Sequence, residues 1–176
     1  MAAIASELEF APLTIQLFGS IQVRVDGRPL PHLRLRKALW LLALLTLRHE
    51  RPVEREWLAS TLWPDTDLSR ASTNLRANLS ELRRALGNQS DRLQSSGRHV
   101  LFLDLAGADV DIVTFDAALI GKKPEALKEA VTLYRGALLE DCAEEWAAQE
   151  RNIREQDCLQ ALQTLADTGA RCRSVR

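Results

Sequence analysis

Between Ser69 and Gly87 the chain reads Ser-Arg-Ala-Ser-Thr-Asn-Leu-Arg-Ala-Asn-Leu-Ser-Glu-Leu-Arg-Arg-Ala-Leu-Gly, and here side-chain type and spacing carry the most chemistry. Leu75, Leu79, Leu82 and Leu86 recur at steps of four, three and four, which places them on one stripe of a helix. The opposite face shows Arg70, Thr73, Asn74, Arg76, Asn78, Ser80, Arg83 and Arg84. Guanidinium, amide and hydroxyl groups bond phosphate oxygens and base edges, and only Glu81 opposes the positive charge. A helix with one apolar face and one cationic, amide-bearing face suits a DNA major groove. Taken alone, the same pattern also suits an ordinary solvated basic surface.

Other chemistry finds little support. His32, His49 and His99 sit in three different elements without a paired carboxylate or cysteine motif, so packing or surface roles account for them. There is no GxxxxGKS/T, no GxGxxG after a strand, no HExxH and no GxSxG. The residues therefore point to no catalytic group, no metal site and no cofactor, and the protein is expected not to be an enzyme. Cys142, Cys158 and Cys172 are odd in number and scattered, which reads as reduced thiols in a cytoplasmic protein rather than disulfides or zinc ligands.

The net charge of −1 conceals an asymmetry. Residues 13–100 hold 14 Lys+Arg against 8 Asp+Glu, a net of +6, whereas residues 101–176 hold 9 against 14, a net of −5. A basic half joined to an acidic half implies that only the first meets a polyanion. The apolar fraction of 46% is that of a globular protein. The longest apolar run, residues 38–47, spans roughly 15 Å as a helix, too short to cross a bilayer, and no signal peptide is evident.

The elements that must position the basic helix follow from periodicity. Leu13, Ile15 and Leu17 alternate with Thr14, Gln16 and Phe18, then after Gly19-Ser20 Ile21, Val23 and Val25 alternate with Gln22, Arg24 and Asp26, and Asp26-Gly27 supplies a second turn. Residues 35–48 form a helix apolar nearly all round, hence the central one. A second helix spans 54–62, with Trp57, Leu58 and Leu62 inward and Pro64 ending it. Asp67 or Ser69 caps the third, and Gly87 closes it. Two short strands, 92–95 and 99–105, are joined by Ser95-Ser96-Gly97-Arg98. Strands, three helices and a hairpin are the order of a winged helix, with the hairpin as wing. Residues 106–109 read as a linker, after which helices are expected over 112–120, 124–139 and 143 to about 167. Trp40, Trp57 and Trp63 sit among leucines as core residues, and Trp146 fits the core as well.

The order of these pieces resembles the SARP/AfsR-like bacterial transcriptional activators, an OmpR-type winged helix followed by a helical bacterial transcriptional activation domain. The residues that carry the likeness begin with Val25-Asp-Gly-Arg-Pro-Leu30, Arg36-Lys-Ala-Leu-Trp-Leu-Leu-Ala-Leu-Leu45, Arg51-Pro-Val53 and Leu62-Trp-Pro-Asp65. They continue through Asn74-Leu-Arg76, Leu82-Arg-Arg-Ala-Leu86, Asp109-Val-Asp-Ile-Val-Thr-Phe115, Tyr134-Arg-Gly136, Trp146 and Glu150-Arg151. Two departures stand out: the wing reads Gly97-Arg-His-Val100 where many relatives have a glycine–aromatic pair, and the helical part is about half the usual length.

The resemblance implies a mainly α protein with small β-sheets, a winged helix-turn-helix followed by an all-α, tetratricopeptide-like and incomplete helical domain. The implied division is a tail at 1–12, the DNA-binding domain at 13–106 and a partial activation domain at 107–176. With the recognition helix in a major groove, Thr73, Asn74, Arg76, Ala77 and Asn78 are expected near base edges. Arg70, Ser80, Arg84, wing Arg98 and, more weakly, Lys37 are expected on phosphates. The implied partners are double-stranded DNA bearing direct repeats, a second copy of the chain on that DNA, and RNA polymerase, all in the bacterial cytoplasm and nucleoid, with no membrane. The competing readings are a truncated DNA-binding competitor and a helical protein- or RNA-interaction module.

Overall fold

The structure, a computed structural model, describes the backbone of residues 11–173 and side chains as far as residue 168; the expected tail at 1–12 lies almost wholly outside the described residues. Alternation in the first strands produces β1 (Leu13–Gln16) and β2 (Gln22–Val25), antiparallel with Ile15 opposite Val23. Asp26 and Gly27 both adopt positive φ in the next turn, and β3 (Arg28–Pro29) pairs at the outer edge of β2. Leu13, Ile15 and Val23 face inward, as period-two burial requires.

Helix α1 (Arg36–Leu47) is buried along nine of its twelve residues, so it forms the centre around which the other elements pack. At about 2 kcal/mol for each fully buried leucine, this packing outweighs the lack of any cap from its own N-terminal residues. The cap comes instead from another helix. Glu81 accepts hydrogen bonds from the backbone N–H groups of Arg34 and Leu35.

Strand β4 (Val53–Glu54) runs directly into α2 (Arg55–Leu62), and α3 (Leu68–Leu86) follows. Of the two candidate caps for α3, Asp67 serves, accepting from the Arg70 N–H at 3.0 Å. Gly87 at φ +54° ends the helix, where a residue without Cβ avoids left-handed strain. A 3-10 turn (Gly87–Arg92) leads to β5 (Leu93–Ser96) and β6 (Val100–Leu103). The second sheet has the order β4-β6-β5. These elements make a winged helix, and a helical unit of α4 (Asp111–Gly121), α5 (Pro124–Leu133) and α6 (Glu145–Arg173) follows it.

Two segments depart from the sequence reading. The stretch expected as a linker ends in β7 (Asp109–Val110), which pairs parallel with β1 and completes a sheet of order β3-β2-β1-β7. The helix expected over 124–139 stops at Leu133, because the chain beyond it bonds back to the first sheet. Gly19 donates to the Ala137 carbonyl at 3.0 Å, Leu139 to Leu17 at 2.8 Å, and Glu140 to Gly19 at 3.0 Å. A Cβ on Gly136 would lie 3.3 Å from the Gly19 Cα, so the close approach favours glycine there. Arg151 then holds the returning segment, donating to the carbonyls of Leu138, Leu139 and Cys142, each at 2.9 Å. Phe18, Phe115 and Tyr134 cluster beneath it, with Phe18 ring centroids 4.9 and 5.1 Å from the other two.

Asp111, the first residue of α4, joins the two halves. Its buried carboxylate accepts from the N–H of Leu17 at 2.9 Å, of Phe18 at 3.0 Å and of Ile112 at 2.7 Å. Burial raises its pKa above the ordinary carboxylate value despite these three bonds. Asp111→Ala leaves three buried donors without an acceptor, and urea denaturation is expected to show a loss of about 3 kcal/mol or more. The raised pKa means that the folded chain binds this proton more readily than the unfolded one. The contribution of this group to stability is therefore greatest below the ordinary value of 3.8 and declines as pH rises through its raised folded value. Asp111→Asn should remove that decline from the stability–pH profile.

Candidate nucleic-acid interface

Helix α3 is amphipathic, and its two faces separate cleanly. Ala71, Leu75, Asn78, Leu79, Leu82 and Leu86 are buried. Ser69, Arg70, Thr73, Arg76, Ala77, Ser80 and Arg84 are exposed, at the three- and four-residue steps of a single outer face. Asn74 lies half-buried at its margin. The Thr73 hydroxyl donates to the Ser69 carbonyl at 3.1 Å, a weak local bond that a stronger acceptor can displace. Glu81, the one carboxylate in the sequence of this helix, is committed to the α1 cap, so the outer face carries uncompensated positive charge.

The structure thus brings together Arg70, Thr73, Arg76, Ala77, Ser80 and Arg84 from α3. Arg98 lies in the exposed turn between β5 and β6, where Gly97 adopts φ +68°. Two expected contacts do not join them. Asn78 is only 4% exposed; three residues after Leu75 and four before Leu82, it falls on the inner stripe, and its amide donates to the Asn74 carbonyl at 2.8 Å. Lys37 is engaged elsewhere: its ammonium donates to the Leu62 carbonyl, pairs with Glu144 at 3.3 Å, and lies over the Trp63 ring. The expected burial of Trp57 is also corrected. Trp57 is 39% exposed on the outer side of α2, its ring covered in part by the Arg48 guanidinium 5.7 Å away.

The wing is held against α3 by a residue whose positioning role the sequence did not reveal. Arg83 donates to the Leu93 carbonyl and the Ser95 hydroxyl, both at 3.3 Å. Arg55, from the start of α2, donates to the same hydroxyl at 3.0 Å, and its backbone N–H donates to the His99 carbonyl in the wing turn at 2.7 Å. Desolvation lowers the Arg55 pKa, and the nearby charges of Arg83 and Arg76 lower it further. A basic residue two positions after Val53 was visible in the sequence, but its proximity to the wing depends on β4 pairing with β6.

Among the described residues no cluster of three His, Cys, Asp or Glu side chains could hold a metal ion. Cys142 and Cys158 are free and buried, and desolvation raises both thiol pKa values, which suits packing rather than nucleophilic chemistry. No helix among the described residues is long and apolar enough to cross a membrane.

No protein-family model matches the chain, and no curated protein matches it. Among solved structures it is similar to EmbR of Mycobacterium tuberculosis, determined in complex with a low-affinity phosphopeptide, with a TM-score of 0.75 and 23% sequence identity. The two share a fold. The likeness covers 92% of this chain and 46% of EmbR, so the chain spans less than half the length of that protein. The shared fold includes the winged helix and the helices that follow it.

The positions of Asn78 and Lys37 generate a paired expectation. Asn78→Ala should change stability by no more than about 1 kcal/mol, because the buried amide oxygen that it removes has no donor. Lys37→Ala should lower the melting temperature while leaving the salt dependence of any polyanion binding as in the wild type. Thermal melts alongside anisotropy titrations check both.

Proposed function

We propose that this protein is a sequence-specific, double-stranded-DNA-binding transcriptional regulator, acting as an activator on direct repeats. The observation that carries the reading is the outer face of α3, where arginines and hydroxyls stand exposed, the Asn74 amide lies half-buried at the margin, and the helix's own carboxylate, Glu81, is engaged by the start of α1. The fold shared with EmbR and the resemblance to SARP/AfsR-like activators support it. In this reading residues 13–106 form the DNA-binding unit and residues 107–176 an activation domain. Thr73, Asn74, Arg76 and Ala77 read base edges from the major groove, while Arg70, Ser80, Arg84 and Arg98 bond phosphates.

The helical half then serves protein partners, among them RNA polymerase and a neighbouring copy on the adjacent repeat. Helix α6 supports this assignment by exposing Ile153, Leu159 and Leu162. The site of action is the bacterial cytoplasm and nucleoid.

The experiment is an anisotropy titration against fragments of the source genome at low and moderate salt. A fragment that survives competition by about 10³-fold more nonspecific DNA, with affinity falling steeply in salt, supports the reading; weak binding indifferent to sequence counts against it. Arg84→Ala should weaken binding to all sequences alike and lower the salt slope by about one. Asn74→Ala should instead relax discrimination at one base position, by about 1–3 kcal/mol. Equal losses in both variants on every duplex would refute the base-reading role of Asn74.

A further inference from the structure

We propose that the junction of α2, α3 and the wing is a phosphate clamp, in which Arg55 and the Ser95 hydroxyl, flanked by Arg76 and Arg83, hold one backbone phosphate of a DNA duplex. The clamp rests on the DNA-binding reading above and adds to it a contact made by none of the residues assigned there to phosphates.

Three observations converge on it. Arg55 from α2 and Arg83 from α3 donate to the same Ser95 hydroxyl, and the like charges of Arg83 and Arg76 repel that of Arg55. Among the described residues, none of the three has a carboxylate partner in an ion pair. Cations gathered without an anion are stabilised by one that binds among them. A phosphodiester offers two unesterified oxygens to planar guanidinium donors.

The Ser95 hydroxyl supplies the second observation. Its oxygen accepts from Arg55 at 3.0 Å and from Arg83 at 3.3 Å, which occupies both lone pairs. Its own O–H therefore remains as a donor, and no acceptor for it occurs among the hydrogen bonds of the described residues. Arg55 Nε, buried within the junction, likewise has no acceptor in the protein. Two guanidinium groups and a hydroxyl thus meet, with the charge of Arg76 nearby and donors to spare, and among the described residues no carboxylate pairs with them.

The third observation is rigidity and access. The Arg55 backbone is tied to the wing turn through His99, and its side chain to β5 through Ser95. Gln94, Ser95 and Ser96 are exposed, so an anion reaches the junction from solvent. The clamp lies where the wing meets α3, beside the helix face assigned to the bases. A phosphate bound there would hold the wing and α3 in fixed register on the duplex.

The test uses the full chain and a random-sequence duplex of about three helical turns, titrated at several salt concentrations. Wild type, Arg55→Gln and Arg84→Ala are compared, with Arg55→Lys as the conservative variant. Arg55→Gln is expected to bind about tenfold more weakly to every sequence, with a salt slope smaller by about one. Arg55→Lys should recover the slope but only part of the affinity, because it keeps the charge and loses the planar fork. A melting temperature close to that of wild type separates this loss from a folding defect. If Arg55→Gln does not fold, Ser95→Ala is expected to show weakened binding without the full change in slope.

Wild-type affinity and slope in Arg55→Gln, with loss in Arg84→Ala, would overturn the clamp and leave the DNA-binding reading standing. If wild type binds no duplex at any salt, that reading fails and inorganic phosphate decides the clamp separately. Thermal stabilisation by phosphate over chloride at matched ionic strength, present in wild type and absent in Arg55→Gln, would support an oxyanion site that serves free phosphate. No difference between the two proteins would overturn the site altogether.

Discussion

A carboxylate removed from water is tolerated only where other donors replace its hydration, and the architecture of this chain is organised around one such group. Asp111 lies under the end of β1 and accepts the N–H groups of Leu17 and Phe18 as well as that of Ile112. Those strand-end donors would otherwise be buried without partners, and the first turn of α4 would lack an acceptor. One side chain therefore terminates β1, starts α4 and fixes the helical half against the winged helix. The pairing of β7 with β1 immediately before it and the return of Leu138 to Phe18 depend on the same placement. The aromatic trio of Phe18, Phe115 and Tyr134 fills the space between them.

Charge is distributed by the same junction. Part of the positive excess of the first half is neutralised within the molecule. Lys37 pairs with Glu144, and Arg48 with Glu150 at 2.6 Å. Arg36 adds a bond to the Asp141 carbonyl at 3.2 Å. The contrast between a basic and an acidic half is thus partly a complementarity between the two units. What remains unpaired is concentrated on α3 and beside the wing, where Glu81 has been drawn away to cap α1. The interface owes its sign to which acids are engaged elsewhere as much as to how many arginines it holds.

The element order and the two faces of α3 were legible because each depends on short-range periodicity. Period two in residues 13–25, an all-round apolar α1, and leucines at three- and four-residue steps in α3 determine local structure and the buried side together. Asp67 and Gly87 delimit α3 for local reasons too, one by hydrogen bonding and one by backbone freedom. Asn78 shows where residue type misleads. Its amide suggested a base contact, but its angular position set it among the leucines, and burial follows position rather than chemical type.

The amino-acid sequence by itself determined the first two strands, the three helices of the winged helix and its hairpin, which face of α3 turns inward, and where the positive charge is concentrated. Tertiary structure alone decided the partners that lie far apart along the chain. It ended α5 at Leu133 because Gly19, Leu17 and Phe18 offered the following segment better hydrogen bonds than another helical turn. It took Lys37 for Glu144 and Leu62, left Trp57 half in solvent, and brought Arg55 to Arg83 through the pairing of β4 with β6. The physical reason is that periodicity records what a residue's near neighbours require. A contact between Asp111 and Leu17, or between Arg55 and Ser95, is fixed only when the sheets and helices close around a common core.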